Sequence, residues 1–140
     1  KRFSSIYSFT IFKKINYFAK RKSVISSPVI DNSRANYLKY KSSARDLIEQ
    51  RLKYFNQFYN LQWNRVAIRN SKTRWGSCSR KNNLNFSYKL ALLKPELSDY
   101  VVVHELCHLA EFNHSPNFWS LVAKTIPDYK LRRKQLKFIQ

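Results

Sequence analysis

Residues 100–109, with the sequence YVVVHELCHL, restrict the fold of this 140-residue chain more than any other segment. His104 and His108 are four positions apart, and residues four apart on an α-helix lie about one turn apart on the same face. The apolar side chains around them allow the remaining sides of such a helix to be buried. We therefore expect a buried helix that presents two imidazoles on one face.

The five residues 104–108 also form the pattern HExxH, in which two histidines bind a metal ion and the glutamate, here Glu105, acts as a base. His114 supplies a third ligand if the chain turns back after the helix, and Asn113 is predicted to make that turn in the left-handed conformation. Three histidines leave one tetrahedral position open for water, as in catalytic zinc sites. The sequence predicts one Zn²⁺ ion held by three histidines and a water molecule.

The distribution of charge singles out the same segment. The chain has 27 Lys and Arg against 8 Asp and Glu, a formal net charge of +19. Residues 96–128 reverse this balance, because five acidic residues there face Lys124 alone, and all three histidines of the chain fall in this window. A cluster of imidazoles and carboxylates favours a bound cation. The basic residues outside this window have two interpretations. They form a surface that binds nucleic acid non-specifically, or they reflect a biased composition, and the sequence does not decide between the two.

Several classes of protein are excluded by composition. No apolar run approaches the roughly 20 residues that a membrane helix needs, so no membrane partner is expected. Lys13 and Lys14 interrupt the N-terminal apolar stretch, which makes it a poor secretory signal. Two cysteines without close spacing form neither a disulfide framework nor a zinc knuckle. These features predict a cytoplasmic location.

The hydrophobic patterns predict an α+β fold. A capping-box pattern at Ser43–Asp46 predicts a helix over 43–59, and Ser115 followed by Pro116 predicts the start of another that ends near 125. A helix is also expected over 98–112 and a basic one after Pro127, with strands over 65–69, 73–77 and 84–88. We expect a small, mostly antiparallel sheet packed on the active-site helix, with further C-terminal helices. Residues 1–42, with strand patterns at 7–11, 15–18 and 24–30, form a predicted β-rich or extended N-terminal region before a domain over 43–140.

Glu111 distinguishes the chain from the metzincin proteases, whose pattern is HExxHxxGxxH. It occupies the position of their glycine, and a chain without methionine cannot form their Met-turn, so that family is rejected. Glu111 lies seven residues after His104, on the same side of a helix. It is either a partner that orients a ligand imidazole or a solvated carboxylate at the helix end.

The segment Arg74-Trp75-Gly76-Ser77-Cys78 is a candidate wall of the active-site cleft. Gly76 would permit close approach of a substrate backbone, and Arg74 could stabilise negative charge that develops on a substrate oxygen. The alternative is a packing motif in which Trp75 fills core and Arg74 pairs with an acidic residue. The sequence does not decide between the two.

The order of these motifs resembles the YgjP-like metal-dependent hydrolases. The resemblance covers residues 43–140 and includes TRWGSCS at 73–79, Asn85, DYVVVHELCHL at 99–109, NHSP at 113–116, Phe118-Trp119 and PDY at 127–129. It implies a zincin-type metallopeptidase fold, in which His104, His108 and His114 bind zinc and Glu105 is the catalytic base. Both metallopeptidase and nucleotide phosphohydrolase activities are associated with this family.

Three functions follow from these observations. The first is a zinc peptidase, in which Glu105 activates metal-bound water for attack on the carbonyl of a peptide or protein substrate. The second is a nucleotide phosphohydrolase with the same site, favoured electrostatically by the basic surface. The third is a nucleic-acid-associated protease or binding module. The oligomeric state does not follow from the sequence.

Overall fold

The computed structural model describes residues 31–139 as an α+β fold of four α-helices and one three-stranded sheet. The strand patterns at 7–11, 15–18 and 24–30 lie outside the described residues. Among residues 31–139, no helix is long and apolar enough to cross a membrane.

The first helix, α1, spans Arg34–Tyr59 and begins nine residues before the position that the sequence predicts. Its N-cap is Ser33, whose hydroxyl accepts a hydrogen bond from the backbone N–H of Asn36. Ser43 lies inside the helix, and its hydroxyl donates to the carbonyl of Tyr40 at 3.1 Å. The predicted domain boundary at residue 42 thus falls within α1, and the division of the chain into two regions stays a prediction.

The sheet is mixed rather than mostly antiparallel. Its strands are β1 (Arg65–Arg69), β2 (Gly76–Cys78) and β3 (Asn83–Ser87), in the order β1-β3-β2. The hairpin between β2 and β3 makes that pair antiparallel, whereas β1 runs parallel to β3. Parallel neighbours need a crossover of about a dozen residues or more, and residues 70–82, which include β2, provide it.

A 3₁₀-helix at Tyr88–Leu92 leads to α2 (Pro95–Cys107), α3 (Pro116–Thr125) and α4 (Tyr129–Lys137). Helix α2 begins three residues earlier and ends five residues earlier than predicted. The predicted start of α3 is confirmed, because Ser115 accepts a hydrogen bond from the N–H of Phe118 and Pro116 occupies the first turn. The basic C-terminal helix is also present.

Helix α2 is the centre of the core. Nine of its thirteen residues are buried, including Val101, Val102, Val103 and Leu106. It packs against α1, the other C-terminal helices and the edge strand β2. Arg51 of α1 binds Asp99 of α2 through two hydrogen bonds of 2.6 and 2.7 Å, which fixes the two long elements to one another. The rigid helix that results positions the histidines described next.

Candidate metal centre

His104, His108 and His114 come together at the C-terminal end of α2. The Nε2 atom of His104 lies 3.2 Å from that of His108 and 3.1 Å from that of His114. His104 and His108 project from the last turn of α2, and His114 lies in the loop before α3. The three predicted ligands thus form one cluster within residues 31–139.

The spacing of these atoms fits a divalent metal ion. Tetrahedral coordination with zinc–nitrogen bonds of about 2.0–2.1 Å places ligand atoms about 3.3–3.4 Å apart. The two Nε2–Nε2 distances are within a few tenths of an ångström of that separation. Three imidazole nitrogens that converge on one point are the donor set of a metal site rather than of a hydrogen-bond network.

The other ring nitrogens of two of these histidines contact neighbouring groups. Nδ1 of His108 lies 2.9 Å from the backbone carbonyl oxygen of Glu111, and Nδ1 of His104 lies 3.5 Å from the Tyr100 hydroxyl. Such contacts fix the tautomer and leave Nε2 free to bind a metal. Glu111 therefore contacts His108 through its backbone oxygen and not through its carboxylate, whose contact with an imidazole was one of the two alternatives that the sequence left open.

The chain turns towards His114 without the left-handed asparagine that the sequence predicts. Among the described residues other than glycine, only Asn60 and Asn82 have positive φ, so Asn113 does not. Instead, the N–H groups of Leu109 and Ala110 donate to the carbonyls of Leu106 and Cys107, which tightens the last turn of α2.

Burial and nearby positive charges favour the neutral form of His104 and His114. Burial, with the nearby His108 and His114, lowers the pKa of His104 to about 3. Burial and His108 also lower the pKa of His114, and Arg133 acts in the same direction on both. Neutral imidazole is the form that binds a metal, so the site is ready to bind at neutral pH.

Aromatic rings of α3 and α4 surround the cluster. Phe118 stacks on His108, with a centroid separation of 4.4 Å, and Trp119 stacks on His114 at 5.5 Å. On its other side Trp119 stacks on Tyr129 at 4.9 Å, which connects His114 to the start of α4. Phe118 and Trp119 belong to the motifs that the chain shares with the YgjP-like family. They are core residues that also hold the imidazoles in place.

Glu105 points from α2 towards β2 and is only 6% exposed. Burial raises its pKa to about 8, and the charge of Arg74 partly opposes that shift. A Cβ atom on Gly76 would lie 2.6 Å from Cγ of Glu105 and 2.7 Å from its Oε1. The glycine in β2 thus makes room for the glutamate of the same protein, whereas the sequence suggested that it makes room for a substrate.

The two residues before Gly76 take different positions. Arg74 is exposed and acts electrostatically on Glu105, without a salt bridge to any acidic residue among those described. Trp75 is half-buried and packs against the core. The structure therefore brings Arg74 and Gly76 to the glutamate, and Trp75 to the wall beside it.

Comparison with known proteins gives the family. A family model described as the YgjP-like metallopeptidase domain matches residues 17–138. The chain belongs to the YgjP-like metallopeptidase family. The resemblance seen in the sequence is confirmed, and the match begins well before residue 43.

Two solved structures resemble this YgjP-like metallopeptidase. The metallopeptidase zymogen of Pyrococcus abyssi abylysin is 25% identical, with a TM-score of 0.58 over 64% of this chain and 90% of that one. The metallopeptidase zymogen of Methanocaldococcus jannaschii jannalysin is 22% identical, with a TM-score of 0.48 over 66% and 94%. A search of curated proteins gives no significant match. The first similarity agrees with the α+β fold and with a metallopeptidase.

Sequence reasoning missed two neighbours of the metal cluster in this YgjP-like metallopeptidase. Tyr100 precedes His104 by four residues, and that helical spacing could have predicted its contact with the ring. Arg133 lies over the ring of Trp119, 5.2 Å from its centroid. No local pattern identifies Arg133, because its position depends on how α4 packs on α2.

Proposed function

We propose that this metallopeptidase is a zinc enzyme in which His104, His108 and His114 bind one Zn²⁺ ion and Glu105 is the catalytic base. The convergence of three Nε2 atoms beside a buried glutamate is the observation that supports this most directly. All-nitrogen donors at these separations suit zinc better than the hard cations Mg²⁺ and Ca²⁺. Three histidines also leave a position open for chemistry.

The three histidines would hold a zinc ion, which would supply Lewis acidity towards a carbonyl oxygen and lower the pKa of a water to about 7. Glu105 takes the proton of the attacking water and delivers it to the leaving amine. Its burial beside Gly76 gives the carboxylate a high proton affinity and a fixed position. Arg74, whose charge reaches Glu105, would stabilise the negative charge that develops on the substrate.

The edge strand β2 is the proposed binding surface for an extended peptide. One edge of β2 pairs with β3, and its other edge pairs with no strand among residues 31–139. Helix α2 lies against β2, so a peptide added to this edge would run past the histidines. We propose peptides or proteins as substrates, in agreement with the family, and nothing in the comparisons supports nucleotides or nucleic acids.

The decisive experiment compares the wild type with Glu105→Gln on casein and peptides, and on nucleoside triphosphates, each with and without DNA. We expect both proteins to bind zinc equally, and only the wild type to cleave peptides. Glu111→Gln is the matched control, since it makes the same change in charge while the backbone carbonyl that meets His108 remains. Cleavage of triphosphates alone would reassign the substrate, and full activity of Glu105→Gln would exclude it as the base.

We further propose that the protein acts in the cytoplasm. Cys78 and Cys107 are both free, and Cys107 is fully buried, so the fold depends on no disulfide. Expression with a fluorescent tag and cell fractionation test this location.

A further inference from the structure

A small pocket of about 150 Å³ lies beside β2, outside the metal cluster. The loop before β2 forms one wall with Lys72, Arg74 and Trp75, and Lys89 of the 3₁₀-helix forms another. Nothing in the proposed metal chemistry uses Lys72, Lys89 or the indole N–H of Trp75.

The charge of this pocket is positive and poorly compensated. Lys72, Arg74 and Lys89 all line it, and no acidic residue does. None of the three makes a salt bridge with an acidic residue in the described part of the chain. Asp31 acts on Lys89 electrostatically, but its Oδ1 accepts hydrogen bonds from the Ser33 N–H and from the Asn36 amide.

Lys89 is the unusual member of the group, because it is only 7% exposed. Buried lysine side chains are rare unless their ammonium is paired. The backbone N–H of Lys89 donates to the Ser87 hydroxyl, but within residues 31–139 no hydrogen bond or salt bridge of its ammonium is found. For comparison, the ammonium of exposed Lys124 donates to the carbonyl of Phe58 at 2.7 Å. Lys89 thus places a cation without an anionic partner at the wall of the pocket, where an anionic ligand would pair with it.

Trp75 provides a second and independent observation. Its Nε1 atom is the only buried side-chain nitrogen or oxygen without a hydrogen-bond partner in the described residues. An unpaired buried donor destabilises the protein, so a ligand that accepts its hydrogen bond removes that destabilisation. Trp75 and Lys89 both line the pocket, so an anionic oxygen ligand there would be a hydrogen-bond acceptor for the indole N–H and a counter-ion for the ammonium.

The position of the pocket relates it to catalysis. Trp75 and Arg74 line it, and the next residue, Gly76, packs directly on the side chain of Glu105. A peptide on the edge of β2 would therefore pass from the metal cluster towards the pocket within a few residues. A chemical group that enters the pocket would therefore be part of the substrate close to its scissile bond.

We propose that this pocket binds a carboxylate of the peptide substrate, so that the enzyme prefers peptides with an acidic group a few residues from the cleaved bond. The proposal rests on the peptidase function above. The carboxylate comes either from an Asp or Glu side chain or from a free C-terminus, and the two sources share the same chemistry.

Binding is tested without catalysis by NMR of the zinc-loaded Glu105→Gln protein. The probes are N-acetylglycine, which has a carboxylate, and N-acetylglycinamide, which has none. The indole N–H signal of Trp75, assigned by its loss in Trp75→Phe, should shift with the first probe and not with the second. Equal shifts with both probes, or none with either, would overturn the proposal.

Variants locate the binding site. Lys89→Met keeps the length of the aliphatic stem, and Lys72→Gln changes an exposed residue that does not threaten folding. Each should weaken binding of N-acetylglycine roughly tenfold, because a charge-assisted hydrogen bond is lost. Lys53→Gln, at an exposed position of α1, is the control and should bind normally. Unchanged binding in Lys72→Gln and Lys89→Met would contradict the proposal.

Peptide cleavage then separates the two sources of carboxylate. One series places Asp or Asn at each position of an amidated peptide, and another compares free with amidated C-termini in a neutral peptide. We expect kcat/KM to rise roughly tenfold or more in one series, and Lys72→Gln to remove much of the preference. Cleavage without preference in both series would refute carboxylate binding in the pocket and would leave the proposed peptidase function unaffected. If no peptide is cleaved, the proposed peptidase function is wrong, and the NMR experiment still shows whether the pocket binds a carboxylate.

Discussion

At the scale of single residues, Glu105 and Gly76 depend on each other through shape. Burial gives Glu105 its high proton affinity. The glutamate fits in this buried position because the neighbouring strand β2 has a glycine, with no side chain, at position 76. Gly76 does not have positive φ, so this glycine is needed for space and not for its backbone conformation. The sequence indicated that something approaches Gly76 closely, but only the packing of α2 on β2 identifies Glu105 as that neighbour.

Gly76→Ala should therefore displace the Glu105 side chain. The added methyl group would lie within 3 Å of three Glu105 atoms, and a misplacement of about 1 Å can cost about a hundredfold in rate. We expect peptide cleavage to fall by tenfold or more while zinc binding, measured by calorimetry, is retained. Ser77→Ala on the same strand is the control, because it removes only a 3.3 Å contact with Asn85.

A double-mutant cycle shows whether the clash is with Glu105. Gly76→Ala should lower the free energy of unfolding in the wild type and much less in Glu105→Ala, which lacks the clashing atoms. An equal loss in both backgrounds would mean that Gly76 is needed for another contact.

The metal-free protein should be most stable near pH 6.5, because His104 and Glu105 affect the pH dependence of stability in opposite directions. Between the lowered pKa of His104, about 3, and its ordinary value of 6.5, only the unfolded chain binds the proton. Stability thus falls as the pH falls below 6.5, and His114 adds to this fall. Between 4.5 and the raised pKa of Glu105, about 8, only the folded chain holds the proton, so stability falls as the pH rises.

From pH 6.5 to 8 the Glu105 effect acts alone, at roughly 1.4 kcal/mol per pH unit. Urea unfolding in the presence of a chelator should therefore show a loss of about 2 kcal/mol over this range. Glu105→Gln, which cannot titrate, should remove this loss. A wild type whose stability is constant from pH 6.5 to 8 would show that Glu105 ionises normally in the folded protein.

At the scale of elements, the helices and strands that bury regular apolar faces were predictable. Strand β1 lies where the alternating pattern places it, and α3 begins at the predicted cap. The start of α1 was missed because none of residues 34–43 is buried, so the hydrophobic period fades there although the helix continues. The pattern at Ser43 is as compatible with a helix N-cap as with a position inside a helix. Only the packing of the residues before Ser43 shows that the helix begins earlier.

The salt bridge between Arg51 and Asp99 connects α1 to α2 in a largely buried place. Its side chains are 16% and 19% exposed, and the guanidinium also lies over the rings of Tyr54 and Phe55. Asp99→Asn should lower the free energy of unfolding by about 2–3 kcal/mol, because a cation is left unpaired in a largely buried place. Thermal or urea unfolding measures this loss.

The pair Arg45–Glu49 on the same helix is the matched control. Its side chains are 41% and 46% exposed, so Glu49→Gln should change stability by less than about 0.5 kcal/mol. Equal losses for the two substitutions would show that burial does not distinguish these pairs.

At the scale of the whole molecule, the charge of +19 surrounds a metal site that lies in an acidic segment. Residues 96–128 have a net charge of −4, from five acidic residues and one lysine, and they supply all three histidines. Counting charges along the sequence identified this acidic segment but could not show which basic residues lie near the metal site. The fold adds that Arg74, before β2, and Arg133, on α4, act electrostatically on the site from two segments that are distant in sequence. A cationic molecule with these residues at its cleft should attract anionic substrates at long range.

The rate of cleavage of acidic peptides should consequently depend on salt. Raising the ionic strength from 0.01 to 0.15 M shortens the Debye length from about 30 to about 8 Å, which screens distant charges but not contacts in the pocket. We expect kcat/KM for an acidic peptide to fall several-fold over this range, and that for a neutral peptide to stay constant. Replacing exposed Lys53, Lys130 and Lys134 by Gln should reduce the salt dependence, whereas Lys72→Gln should lower the rate even at high salt. If both peptides respond to salt alike, long-range attraction of the substrate is excluded, and the net charge then has no part in catalysis.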